Sequence, residues 1–547
     1  MHHLRRRLGA AIAILGVAAA GLPAAAQAQR QEPSTPLTWQ DCGGGFQCAS
    51  ATVPLDYSSP SRGTYHVALI RKPATDQAHR LGSLFTNPGG PGASGVDFVR
   101  ATADSLYANL NRVYDIVGFD PRGTGASDNA IDCRVNPETD GVYAQPFITP
   151  ENLDARQVFQ DKAWYARRCR ELNGKVLPYV TTGNVARDLD RLRAAVGDSK
   201  LNYLGFSYGT FLGATYASLF PNRLGRVVLD GPVDANEYIN HPMDDLSAQT
   251  AAFERALGRF LQACAHDQAA CLGFGGDDPW MAFDDLAGQL DQQKLPADGY
   301  PVDPRPVGGD DLRAATIQLV YAKQYWPYIA QMLAAARNGD GTLIRYFTDF
   351  FYGRNDDGSY EPGTDRYYAI GAVEQRYVWD PGRYLQAGKT SYNSFDHFWF
   401  NNGYAEIPYP LLGVRPNGAY NGPFQIPASA NTPLVVATTY DPATPYRGAK
   451  ALVRDLGNAR LLTMNGDGHT AYGGNSACVD SAVEAYLEEG TLPNAGTICR
   501  QEVPFVQPQP TGRTQAQTAA TGTDKRVIHE VAASRLSKPV PELVSAP

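Results

Sequence analysis

Residues Leu201 to Gly213, reading Leu-Asn-Tyr-Leu-Gly-Phe-Ser-Tyr-Gly-Thr-Phe-Leu-Gly, constrain this chain more than any other stretch. An apolar strand runs directly into Gly-x-Ser-x-Gly and then into a helix of small residues. A serine between a strand and a helix sits on a tight elbow, and glycines two positions to either side let the backbones approach closely. The hydroxyl then stands above the sheet, and the N–H of Tyr208, in the first turn of the helix, faces any oxyanion formed there. Ser207 is therefore the candidate nucleophile. The pentapeptide alone decides little, because a chain of 547 residues with 54 glycines should show on the order of a few tenths of such a match by chance. Its partners must come from elsewhere in the chain.

Upstream, Gly82-Ser83-Leu84-Phe85-Thr86 reads as a short buried strand and opens into Asn87-Pro88-Gly89-Gly90-Pro91-Gly92-Ala93-Ser94-Gly95. Glycines massed after a strand allow a backbone excursion that aims N–H groups into a site. Pro88 and Pro91 have no N–H, which leaves Gly89 and Gly90 as oxyanion donors beside Tyr208. Tyr114 to Asp120 is a further strand, followed by a loop in which Asp120 and Arg122 read as a bracing ion pair or hydrogen-bond anchor. Residues 52–57 and 65–70 form an opening antiparallel pair, with His66 a structural residue in its second strand. Residues 182–196 read as a helix capped by Thr182 or Asn184 and ended by Gly197. After the elbow helix, Arg226 to Asp230 is again a buried strand. Helices alternating with near-continuously apolar strands imply an α/β protein, its sheet mostly parallel with helices on both faces.

Beyond that strand the rhythm changes. Residues 232–430 read as helices, one capped by Asp310 and one opened by Pro327 and closed by Gly339, and they hold four of the six tryptophans. Most of these aromatics belong to a helical core, and some line a substrate cavity beneath a lid. The sheet resumes at Pro433 to Thr438, which leads to Asp441, and Arg460 to Met464 leads to His469. Ser207, Asp441 and His469 thus occur in that order, each past the C-terminal end of a predicted strand, and in an open parallel sheet those ends share one rim. A serine hydroxyl is a poor nucleophile until a neutral imidazole takes its proton, and a carboxylate must hold that imidazole in the right tautomer. The 28 residues from Asp441 to His469 fit one strand-helix-strand step, and the 234 from Ser207 to Asp441 contain the lid. Asp467 is nearer to His469 but shares its loop and follows no strand of its own.

The set formed by Asn87 to Gly95, Gly118-Phe119-Asp120-Pro121-Arg122-Gly123-Thr124-Gly125, Gly205 to Gly209, Asp441-Pro442-Ala443-Thr444-Pro445 and Gly468-His469-Thr470 resembles the exported tripeptidyl-aminopeptidase branch of the prolyl-aminopeptidase family. Residues 432–499 resemble that branch's C-terminal segment, including the spacing of its two cysteines. The resemblance implies an α/β-hydrolase fold with a large helical lid inserted after the strand that follows the elbow. It also implies a serine acyl-enzyme mechanism and release of short peptides from free N-termini. Cytoplasmic prolyl aminopeptidases carry a histidine before the Gly-Gly-Pro-Gly run, where this chain has Asn87 and Pro88; that favours the exported branch over a strict proline preference. A buried substrate ammonium needs a carboxylate, for which charge nominates Asp230, Glu237 and Glu374. The rival readings are an esterase or amidase on small acyl compounds, a proline-preferring aminopeptidase and, last, a non-enzymatic envelope-binding protein.

Arg5 to Arg7, an apolar alanine-rich stretch and Ala26-Gln27-Ala28 read as a cleaved export signal, which makes the expected location secreted or periplasmic. No later stretch is apolar enough to span a bilayer. Loss of three arginines takes the formal charge from −8 to −11, which argues against nucleic acid and anionic membrane surfaces as partners. A monomer acting on short peptides is expected. The eight cysteines admit about 105 pairings, of which the simplest joins neighbours: Cys42 to Cys48, Cys133 to Cys169, Cys264 to Cys271 and Cys478 to Cys499. The close pairs lack further ligands at metal spacing, so staples are expected instead of zinc, and the chemistry needs no metal or organic cofactor. The expected organisation is a signal at 1–28, core at 29–231, lid at 232–430, core at 431–505 and a disordered tail at 506–547.

Overall fold

Short runs that are apolar at nearly every position form the centre of one ten-stranded sheet. The strands are β1 (Gln40–Asp41), β2 (Gln47–Pro54), β3 (Thr64–Lys72), β4 (Gly82–Asn87), β5 (Tyr114–Phe119), β6 (Leu201–Phe206), β7 (Leu224–Asp230), β8 (Leu434–Tyr440), β9 (Arg460–Asp467) and β10 (Ile498–Arg500). This computed structural model describes residues 36–507; the expected signal and all but the first two residues of the expected tail lie outside the described residues. The order is β1-β2-β3-β5-β4-β6-β7-β8-β9-β10. An antiparallel edge, β1 to β3, meets β5, and every pairing from β5 to β10 is parallel.

Successive residues of the central strands feed two cores. Tyr203 packs with Val117, Val227 and Val435 on one face, and Leu204 with Ile116, Val228 and Val436 on the other. Burying each such side chain contributes about 1.5–3 kcal/mol, so strands of this kind require cover on both sides. Helices Ala155–Asn173, Thr182–Ala195, Tyr208–Leu219 and Tyr446–Leu456 cover the first face, and Gly95–Thr102 and Ala477–Glu489 the second.

Local details differ from the expectations above. The helix before the elbow is capped by Thr181 in an extended conformation. Asn184 instead donates to the carbonyls of Tyr179 and Asn417. Asp310 accepts the Phe147 N–H, while the helix Gly309–Leu319 is capped at Gly308, whose N–H donates to Asp311. Asp120 and Arg122 are anchors but not partners of each other. Arg122, fully buried, forms a bidentate pair with Asp188 (2.6 and 2.7 Å) and donates to the carbonyls of Pro54 and Leu55. Asp120 accepts from Ser94 Oγ and the N–H groups of Val96 and Ala126.

Between β7 and β8 the described chain forms nine α-helices, from Ala235–Asn240 to Pro408–Leu412. Their interior is aromatic: Tyr409 stacks between Tyr368 (4.5 Å) and Tyr377 (4.3 Å). Tyr377 donates to buried Glu406, whose second oxygen accepts the Gly403 N–H. Disulfides join Cys42 to Cys48, Cys133 to Cys169, Cys264 to Cys271 and Cys478 to Cys499. Among the described residues no helix is long and apolar enough to cross a membrane.

Candidate active site

Ser207 follows β6 directly, at φ 55° and ψ −127°. A non-glycine residue held there stores on the order of 1–3 kcal/mol of strain and needs fixed surroundings. Its N–H donates to the Asp230 carbonyl at the end of β7 (2.9 Å), and its carbonyl accepts from the N–H (2.8 Å) and hydroxyl (2.6 Å) of Thr210. Gly205 leaves the space this elbow requires: a Cβ there would lie 2.5 Å from the Gly209 carbonyl oxygen.

The glycine loop after β4 crosses beside the elbow. Gly89 has φ +106°, and a Cβ on it would sit 2.7 Å from the Phe206 carbonyl oxygen and 2.9 Å from Ser207 Cβ. Its N–H is committed to Asn87 Oδ1 (3.0 Å). Gly90, not Gly89, lines the same cavity as Ser207 and Tyr208. The structure thereby separates two donors that the sequence left equivalent.

β8 and β9 end side by side and deliver the other two residues. Asp441 lies one residue past β8 and His469 two past β9, and His469 Nδ1 is 2.9 Å from both Asp441 carboxylate oxygens. Asp441 is buried and also accepts the N–H groups of Ala443 and Thr444 and the Thr444 hydroxyl, at 2.8–2.9 Å. Donation from Nδ1 to this carboxylate leaves Nε2 as the basic nitrogen. Nε2 is buried without a hydrogen-bond partner, and His469 and Ser207 line one cavity. The lid closes over it: the His469 N–H donates to the Tyr321 carbonyl (2.6 Å), and the Tyr321 ring stands edge-on to the imidazole at 5.8 Å. Asp467 is paired with Arg259.

The three nominated ammonium carboxylates fall in different places. Asp230 is excluded from the cavity: fully buried, it accepts the N–H groups of Ala471 (3.0 Å) and Tyr472 (2.8 Å) and braces the histidine loop from behind. Burial raises its carboxyl to about 7. Glu374 is also misplaced, accepting the Thr182 N–H (2.8 Å) and facing a neighbouring cavity behind Gln375, Tyr377 and Tyr409. Glu237 does line the Ser207 cavity, but Arg447 pairs with it (2.8 Å).

The sequence reading passed over Asp245, in the first turn of the lid helix Pro242–His266. It lines the Ser207 cavity with Asp234 and Glu237. Burial first, and then the Glu237 and Asp234 carboxylates, raise it to about 7 against the pull of Arg447. Three acids against one arginine give this wall a negative potential suited to a cation. The only sequence signal was a pair of aspartates behind His241-Pro242, which reads equally well as an ordinary helix start. Elsewhere Glu138, Asp303 and Asp349 converge closely enough for a cation. Arg305, Arg345 and Arg354 already supply the counter-charge there.

A family model described as the alpha/beta hydrolase fold matches residues 83–475. The tripeptidyl aminopeptidase of Streptomyces coelicolor is 31% identical over 531 residues, covering 92% of this chain and 90% of that one. The chain belongs to the tripeptidyl-aminopeptidase-like α/β hydrolases. Serine protease Hip1 of Mycobacterium tuberculosis is 31% identical over 86% of this chain and 93% of its own. Carboxylesterase B of the same species is 34% identical over 90% and 98%. As a member of these α/β hydrolases the protein is a serine hydrolase of the aminopeptidase kind, a serine peptidase.

Proposed function

We propose that the protein is an exported serine exopeptidase that removes short peptides, in the first place tripeptides, from free N-termini through an acyl-enzyme on Ser207. The observation that carries this reading is the shared cavity, which has Ser207 and His469 on its core side and Asp234, Glu237 and Asp245 on its lid side. A peptide whose scissile carbonyl lies at Ser207 then has its ammonium end directed to the acidic wall. Asp245 takes the place of Asp230 and Glu374 as the ammonium partner, with Glu237 beside it.

In the proposed reaction His469 Nε2 accepts the Ser207 proton as Oγ attacks the carbonyl, and Asp441 stabilises the imidazolium. The N–H groups of Tyr208 and Gly90 receive the oxyanion, each such donor contributing about 10²–10³ in rate. His469 returns the proton to the leaving amine, and water, deprotonated by the same imidazole, cleaves the acyl-enzyme. The strain at Ser207 suits this role, because the surrounding strands hold the hydroxyl in one place throughout. Neighbour-paired disulfides agree with an oxidising compartment, and so with export.

The relative named as a carboxylesterase favours a second reading, hydrolysis of small esters by the same triad. Free-amine anilides of one, two and three residues, assayed with wild type and Ser207→Ala, test the proposal. Release of intact tripeptide at the highest kcat/KM supports it. Highest turnover on single amino-acid anilides would replace it with a simple aminopeptidase.

A further inference from the structure

One guanidinium from the lid touches both loops that carry the acid and the base. Arg259, in the C-terminal third of the helix Pro242–His266, forms a bidentate pair with Asp467, its Nη2 3.2 Å from Oδ2. The same guanidinium lies 3.6 Å from the centroid of the Tyr440 ring. Asp467 ends β9 two residues before His469, and Tyr440 ends β8 one residue before Asp441. Tyr440 and Asp467 are register partners, so Arg259 bridges the final rung between the two strands. Gln501 fixes Asp467 from the far side, accepting its N–H (2.9 Å) and donating to its carbonyl (2.7 Å). A second lid contact lies next to it: Ala322 bridges to Gly468, and the Tyr321 carbonyl accepts the His469 N–H.

We propose that Arg259 is a positioning residue for the His469–Asp441 pair, tying the lid to both strand-end loops so that the base is correctly placed only while the lid is docked. This rests on the triad assignment above. Arginine suits the task because a planar fork can pair with a carboxylate edge-on while its face lies on an aromatic ring. A lysine could supply the charge but not both contacts. The pair is partly buried, Arg259 being 30% and Asp467 11% exposed, so water screens it less than an exposed pair.

The arrangement also sets the charge near the base. Asp441 on the β8 loop, Asp230 at the end of β7 and Tyr321 from the lid lie around His469, and the Asp467–Arg259 pair stands two residues back along the same loop. Removing the guanidinium leaves Asp467 uncompensated two residues from the imidazole, which favours the protonated form. Neutralising Asp467 instead breaks the tie without adding negative charge. The two changes therefore affect position alike and charge differently.

The test uses the full chain and compares wild type with Arg259→Ala, Arg259→Lys and Asp467→Asn. It follows the rate of Ser207 labelling by a fluorophosphonate, the pH profile of kcat/KM on a small activated ester, and Tm. Arg259→Ala is expected to slow labelling and lower kcat about tenfold or more at little change in KM. Its acid limb is expected to move to higher pH, whereas Asp467→Asn lowers kcat without that movement, and Arg259→Lys retains the limb with partial activity. Labelling and pH profile equal to wild type in Arg259→Ala would overturn the positioning role alone. So would a loss of rate in all three variants that merely follows Tm, with the acid limb of Arg259→Ala unmoved. Failure of wild-type Ser207 to label would overturn the triad assignment and the positioning role with it.

Discussion

The core rim and the lid wall face each other across one cavity and obey different rules. On the rim, Ser207, Asp441 and His469 follow β6, β8 and β9 at one, one and two residues' distance, and the parallel sheet brings those ends together whatever their separation in sequence. On the wall, Asp234, Glu237 and Asp245 sit on the first lid helices, where only three-dimensional packing decides which carboxylate meets the cavity. The rim is a property of the fold, and the wall is a property of this particular insertion. On the proposed reading, chemistry and specificity occupy separately variable parts of the molecule.

The largest effect should come from the rim. Ser207→Ala is expected to reduce kcat by about 10⁵-fold or more on peptide and ester substrates alike, with Tm unchanged or slightly raised because the strained elbow loses its hydroxyl but keeps its hydrogen bonds. A residual rate within tenfold of wild type would move the nucleophile elsewhere. A change on the wall should sort substrates instead. Asp245→Asn is expected to raise KM for free-amine peptides about 10- to 100-fold, the loss of one charge-assisted contact, and to leave N-acetylated esters unaffected.

The same wall residue carries a pH signature. As the proposed ammonium partner Asp245 would act only as the carboxylate, and burial raises its carboxyl to about 7. KM for free-amine substrates should accordingly rise as pH falls below about 7 in wild type and stay flat in Asp245→Asn. A KM independent of pH in both would remove Asp245 from the ammonium site.

Much of the rim was legible because its residues are limited in kind and place. A serine elbow, an aspartate and a histidine had to follow strands, and only a few loops qualified. Four things escaped. The commitment of the Gly89 N–H to Asn87 is a side-chain hydrogen bond that no glycine pattern reveals. Asp230 was nominated for its charge, but the carboxylate at the end of β7 is needed to brace Ala471 and Tyr472. Asp245 was missed because an acid in the first turn of a helix has an ordinary explanation in the helix dipole. Arg259 was not singled out at all: its partners lie more than 180 residues downstream, and no local spacing joins them.

The smallest expected effect separates the regions by stability. Burial raises the carboxyls of Asp230 and Glu374 to about 7 and of Glu406 to about 8. A carboxyl that holds its proton more tightly when folded favours the folded state at low pH, and stability falls as pH rises from the ordinary carboxylate range through about 7–8. Tm should be a few degrees higher near pH 5.5 than near pH 8.5. Glu406→Gln should remove part of the lid's share of that slope, and Asp230→Asn part of the core's. A Tm that rises over this interval would mean that these buried acids do not govern it.

The division between rim and wall is tested most directly by kcat/KM for one tripeptidyl anilide with its amine free and with it acetylated. The account predicts a preference of about 100-fold for the free amine, residing in KM and shrinking strongly in Asp245→Asn. Equal turnover of the two substrates by wild type would contradict it and return the protein to general esterase or amidase chemistry.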